Sequence, residues 1–227
     1  MFSFELFAPA FMAVKNGFLL TIAITLASFA LGQVLALPLS LVLTSEKRYL
    51  RLPVATYTFL VRGSPLLVQL FILYYGLGQI EAIRHSVLWP VLRSPVNCAI
   101  LAIGLNSAAY SAELLAGAIR QIPRGQWEAG SALGLHRGVL LLKVIMPQAY
   151  RAVLPAIGNE LVLVMKGSTL ASAVTVIEMT GAARVFVAKT YAPFETFLIA
   201  GAIYLLMGAV FGRLFRTIEA RIAIPGR

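Results

Sequence analysis

Long apolar runs alternate along the chain with short stretches that hold most of its charge. Five runs stand out, at residues 17–43, 64–80, 95–119, 156–176 and 194–217. About 20 apolar residues in helical form cover the roughly 30 Å of a bilayer's hydrocarbon. A helix also satisfies its backbone hydrogen bonds internally, as lipid demands. The pattern predicts an all-α membrane protein with five transmembrane helices, built as a single transmembrane domain over residues 1–227. That bundle leaves no room for a separate catalytic or nucleotide-binding domain.

Within the first run, Thr21, Thr25, Ser28, Gly32 and Ala36 recur at about one-turn spacing, and small residues so placed let helices approach closely in lipid. They suit packing inside the bundle or an interface with a partner. Pro53 opens a short segment over residues 54–61 that ends in Arg62-Gly63-Ser64-Pro65. Gly63 breaks the helix, and Pro65 suits the first turn of a new one, which puts Arg62 near the cytoplasmic interface. Trp89-Pro90 reads as an interfacial anchor in a short external connection. On the third run, Asn106, Tyr110, Glu113, Gly117 and Arg120 draw one polar stripe along a helix. Ionisable groups on such a stripe face the bundle interior or water rather than lipid. Alternatively, Glu113 pairs with Arg120 or is hydrated.

Composition supports the lipid reading: 59% of residues are hydrophobic and 12% charged, with mean hydropathy +0.86. A soluble domain carries about twice that charge. The net charge of +10 raises the possibility of a nucleic-acid partner, but its distribution follows membrane topology instead. Lys47, Arg48 and Arg51 follow the first run; Arg120, Arg124, Arg137, Lys143 and Arg151 lie between the third and fourth; Arg213, Arg216, Arg221 and Arg227 close the chain. By the positive-inside rule these regions are cytoplasmic, which leaves the N-terminus periplasmic and the C-terminus cytoplasmic. Nucleic acid is excluded as a partner, and membrane lipid is the surroundings. The first run is too long for a signal-peptide core and is read as a retained span. Cys98 is the single cysteine, so with only His85 and His136 as further soft ligands no metal site is expected.

The longest charge-bearing stretch between runs, residues 120–151, carries a short amphipathic segment with Glu128-Ala129-Gly130 leading to Gly134-Leu135. It resembles the coupling loop of permease subunits of binding-protein-dependent ABC importers, whose pattern is Glu-Ala-Ala, then Gly, then Ile-x-Leu-Pro. Glu128, Ala129, Gly134, Ile145 and Pro147 match; Gly130 stands for the second Ala and Met146 for Leu. Two further segments narrow the resemblance. Residues 62–69, Arg-Gly-Ser-Pro-Leu-Leu-Val-Gln, are similar to the Arg-Gly-Thr-Pro-Leu-Leu-Val-Gln signature of amino-acid permeases. The stretch from Asn159-Glu160 to Lys166-Gly167-Ser168-Thr169-Leu170 is similar to their Asn-Glu…Lys-Asp-Thr-Ser-Leu segment, with Gly167 in place of the Asp and the Thr-Ser order inverted. This version looks closer to the M-type subunits of the histidine, lysine/arginine/ornithine and opine (octopine, nopaline) branch.

The resemblance implies a type I importer permease in the bacterial inner membrane, forming half of a translocation pathway for polar, basic amino acids or opines. It also implies partners: a second permease, homologous but not identical, two ABC ATPase subunits and a periplasmic binding protein. In it, Glu128, Ala129, Gly130, Gly134 and Leu135 belong to the helix that couples to the ATPase. No Gly-x-x-x-x-Gly-Lys-Ser/Thr loop occurs and Asp is absent altogether, so ATP and magnesium belong to the partner and no cofactor is expected here. A secondary amino-acid transporter is the alternative, although it ordinarily has more spans and an internal repeat. An enzyme is disfavoured, since Lys166 and Ser168 lie two apart on a helix and point to different sides.

A cationic solute crossing low dielectric needs a fixed negative group, and here only Glu can supply it. The candidate pathway residues are Asn106, Tyr110, Glu160, Ser168, Thr169 and Glu178, with Glu178 expected near the outer mouth. For Glu160 the competing expectation is a structural partner of Arg151 or a helix cap at the cytoplasmic end.

Overall fold

The computed structural model describes residues 4–222, and all of its regular structure is helical. In chain order the helices are α1 (Phe7–Asn16), α2 (Phe18–Leu43), α3 (Arg48–Gly63), α4 (Leu66–Phe71), α5 (Glu81–Arg84) and α6 (Trp89–Leu92). They continue as α7 (Pro95–Gln121), α8 (Arg124–Ala132), α9 (Arg137–Leu140), α10 (Met146–Ser168), α11 (Met179–Thr190) and α12 (Pro193–Ile222).

Four stretches are long and apolar enough to cross a membrane: Phe7–Leu43, Pro95–Gln121, Arg137–Val174 and Pro193–Arg221. A fifth crossing exists if Arg48–Gly63 and Leu66–Gln79, bent by 108°, form one span. The second apolar run is therefore a broken element rather than the straight helix expected over 64–80. Ser64 and Pro65 are both extended, and Pro65 has no N–H to continue a helical ladder. Upstream, the helix starts at Arg48 and takes Pro53 into its interior, so Pro53 does not open it. The fourth crossing is also longer than the apolar run, because α9 and a π turn at Leu141–Ile145 continue into α10.

The bundle is organised around α2 against α7, with α10 packed on both. The small residues of the first run serve this packing. Thr21, Thr25, Ser28 and Ala36 are buried, and a Cβ on Gly32 would stand 2.8 Å from Ser107 Oγ on α7. Threonine hydroxyls donate to backbone oxygens one turn back (Thr25 Oγ1 to Thr21 O, 2.7 Å), which lets polar side chains enter an apolar interior. Elsewhere α1, α11 and α12 pack together around Val14, Met165, Met179 and Met207. The start of α7 is set by Ser94, whose hydroxyl accepts from Asn97 N–H, with Pro95 in the first turn.

Candidate functional site

Two joined cavities open between α3, α4, α7 and α10. The larger, about 640 Å³, is lined by Arg62, Tyr110, Glu113, Gln121, Asn159 and Glu160, with apolar side chains between them. It extends toward Gln121 and Ala152, the ends of α7 and α10 that lie nearest α8. The smaller, about 220 Å³, includes Asn106, Ile103 and Val164 and shares Tyr110, Glu160 and Leu163 with the first. Ile103 and Val164 also belong to an apolar cluster with Leu70, Val174 and Val176, so apolar packing bounds the smaller cavity on that side.

Glu160 thus sits where the cavities meet, 6% exposed, with the Ser107 side chain beside its carboxylate. No ion pair with Arg151 forms, and Glu160 lies well inside α10 rather than at an end, so neither structural expectation for it describes its position. Arg62 is the basic residue lining these cavities, and it was expected near the cytoplasmic interface. The end of α3 carries it to Tyr110 on α7, its guanidinium 5.3 Å from the ring centroid. The Tyr110 hydroxyl donates to Arg62 O at 3.3 Å, and such cation–aromatic contacts strengthen away from water.

Three more hydrogen bonds hold this wall. Thr58 Oγ1 donates to Glu113 at 2.7 Å, Tyr57 donates to Leu105 O at 2.6 Å, and Asn106 Nδ2 donates to Gln69 Oε1 at 3.1 Å. The Gln69 amide in turn caps the helix break by donating to Val61 O. Glu113 therefore does not pair with Arg120, whose guanidinium donates to Leu43 O at 2.9 Å. Of the polar stripe on α7, Asn106, Tyr110, Glu113 and Gly117 line the cavities and Arg120 does not. Arg62 and Asn159 join them by tertiary contact, although the 62–69 and 159–170 segments had marked both regions.

Ser168, Thr169 and Glu178 line neither cavity. Ser168 is fully buried and donates to Met165 O, while Thr169 donates to Lys166 O. Glu178 is 0% exposed. It caps the start of α11, accepting from Thr180 N–H (3.0 Å) and Gly181 N–H (2.9 Å). Tyr204 Oη donates to it at 2.7 Å from α12, and Thr21 Oγ1 lies 3.3 Å away on α2. Burial raises the Glu178 carboxyl above the ordinary carboxylate range, and these four contacts work against the shift. Three of these contacts converge on Oε2 and one on Oε1, so the geometry places Glu178 as a structural node joining three elements.

At the far end of the larger cavity lies α8, with Glu128 and Ala129 exposed on it. Gly134 has φ +73°, the left-handed conformation that glycine adopts without penalty. Gly134 N–H reaches Ser131 O and Leu135 N–H reaches Gly130 O, which closes the helix in a Schellman motif. Gly130 is buried because Leu140 occupies the space where a Cβ would project, a physical reason for Gly rather than Ala at this position. Among the described residues no group of three or more His, Cys, Asp or Glu could hold a metal ion.

Residues 36–224 match the family model described as binding-protein-dependent transport system inner membrane component. The chain is 46% identical over 209 residues to the octopine transport system permease protein OccM of Rhizobium meliloti, covering 92% of this chain and 85% of that protein. It is 39% identical over 217 residues to the arginine ABC transporter permease protein ArtM of Haemophilus influenzae, covering 96% and 95%. Among solved structures, one described as an amino acid ABC transporter with histidines superposes with TM-score 0.84 at 29% identity, covering 97% of this chain and 99% of that chain. The MetNI methionine ABC transporter in an inward facing conformation matches in fold, with TM-score 0.79 at 18% identity over 98% and 100%.

Proposed function

The chain belongs to the inner-membrane components of binding-protein-dependent transport systems, and from that premise we propose that it carries basic amino acids or opines through the Glu160 cavities. As a permease of an ABC importer it contains no ATPase domain and works with an ATPase and a binding protein. The observation that carries the substrate reading is the charge set of the cavity wall: one guanidinium, Arg62, facing two carboxylates, Glu113 and Glu160. A basic amino acid presents the complement, one carboxylate and two cationic groups. Fixed charges of opposite sign lower the cost of taking a charged solute out of water. Relatives named for octopine and arginine transport agree with that chemistry.

In this reading the larger cavity opens to the cytoplasm, with the N-terminus periplasmic and the C-terminus cytoplasmic. Ser168, Thr169 and Glu178 act from behind the wall, holding its helices rather than touching solute. A homologous, non-identical permease supplies the other half of the pathway, and two ATPase copies serve the pair. Glu128, Ala129, Gly130, Gly134 and Leu135 form the helix end that docks on one ATPase, while Trp127 and Leu140 seat that helix on the permease.

Three measurements test this. Purifying the complex through a tag on this chain and assaying uptake in vesicles should give transport of arginine, ornithine or octopine but not of glutamate; glutamate transport would overturn the substrate class. Glu128→Arg should reduce uptake by more than about tenfold while the chain still inserts, because a reversed charge in a docking groove is desolvated without a partner. Normal uptake by that variant removes the coupling role. A reporter active only in the periplasm should be silent after Arg227 and active near His85; the opposite pattern inverts the topology.

A further inference from the structure

We propose that the α2–α3 connection, residues 44–47, is a second docking element for the ATPase, forming with α8 a two-walled receptor for a charged segment of that subunit. This rests on the reading of α8 as the coupling helix. A crevice of about 930 Å³ separates the two elements. Ser45, Glu46 and Lys47 form one wall, Trp127, Glu128 and Ser131 the other, with Arg137 at the rim. Leu41, Leu140 and Leu141 line its apolar depth.

The charges are what single this crevice out. Glu46, Lys47, Glu128 and Arg137 are all exposed, two of each sign, on a part of the molecule that the basic-residue distribution puts in water. Among the described residues no ion pair within 4.0 Å involves any of these four, so none of them pairs across the crevice. A partner segment carrying both signs could satisfy all four at once, and complementary charge of that kind sets which partner docks and in what register. An anionic lipid headgroup fits less well, because Glu46 and Glu128 would repel its phosphate.

The connection is also a fixed platform. Thr44 Oγ1 donates to Leu41 O at 3.0 Å, Lys47 N–H donates to Ser45 Oγ at 3.2 Å, and Arg120 ties the end of α2 to the end of α7 through Leu43 O. Beyond it, α3 starts at Arg48 and ends beside Arg62 in the cavity wall. Docking here would place the ATPase at the foot of an element that reaches the solute pathway directly.

The test uses the complete transporter. Lys47→Glu, at an exposed site, should lower retention of the ATPase by the membrane complex on the order of tenfold and reduce uptake in parallel. A cysteine at position 47 should cross-link to the ATPase with a short bifunctional reagent, since the native Cys98 is buried. Glu128→Arg serves as the comparison. If it releases the ATPase while Lys47→Glu does not and no cross-link forms, the connection is no docking element and the coupling role of α8 stands. If neither variant changes retention, both readings fall. If Lys47→Glu changes only the phospholipid that co-purifies, the crevice is a lipid site and the proposal is overturned.

Discussion

The Glu160 region and the Glu178 region put the same side chain under nearly the same burial, 6% and 0% exposed, and surround it differently. Around Glu178, donors arrive from α2, α11 and α12, and the residue lines neither of the two joined cavities. Around Glu160 the neighbours leave a void that also holds Arg62, Tyr110 and Asn159. Burying a charge is costly unless it is compensated. At Glu178 the fold supplies the compensation permanently. At Glu160 much of it is left to whatever enters the cavity. A buried acid in a membrane bundle is therefore diagnostic of function only when its hydrogen-bonding capacity is left open to an outside molecule.

The sharpest way to break this contrast is to remove both carboxylates in turn. Glu178→Ala removes the acceptor of two backbone N–H groups and leaves the Tyr204 hydroxyl only Thr180 Oγ1, 3.2 Å away. At about 1–3 kcal/mol per orphaned group, the two N–H groups alone should cost at least about 2 kcal/mol, seen as a large fall in the melting temperature of the purified complex. Glu160→Ala should melt close to wild type. Equal destabilisation by the two would erase the distinction between node and site.

Glu160→Gln sharpens the other half. Losing the fixed charge should lower uptake of a cationic solute on the order of tenfold, equivalent to about 1.4 kcal/mol, with ATPase retention unchanged. Arg62→Gln should show the complementary selectivity, weakening arginine more than its decarboxylated analogue, because only arginine presents a carboxylate. Selectivity unchanged in both variants would mean that the cavity does not read charge. The smallest effect belongs to Tyr204→Phe, which removes one hydrogen bond from the Glu178 node. It should cost about 1 kcal/mol in stability and leave the ratio of arginine to ornithine uptake unaltered. A changed ratio would put Glu178 back on the solute's route.

Some of this was legible in the chain itself. Apolar runs of membrane length dictate helices because lipid leaves the backbone no other partner. The α7 stripe placed Asn106, Tyr110 and Glu113 on one face because helical spacing is local. Tertiary structure decided what depends on distant partners. The course of α3 across α7 brings Arg62 over the Tyr110 ring, 48 positions away in sequence. The Thr21–Glu178 contact spans 157 positions of sequence. Glu160 and Glu178 look alike as residues in an apolar setting. Only the packing of α2, α7, α10 and α12 settles which one meets donors and which one meets a cavity, because hydrogen-bond satisfaction belongs to the assembled neighbourhood and not to the segment that contributes the acid.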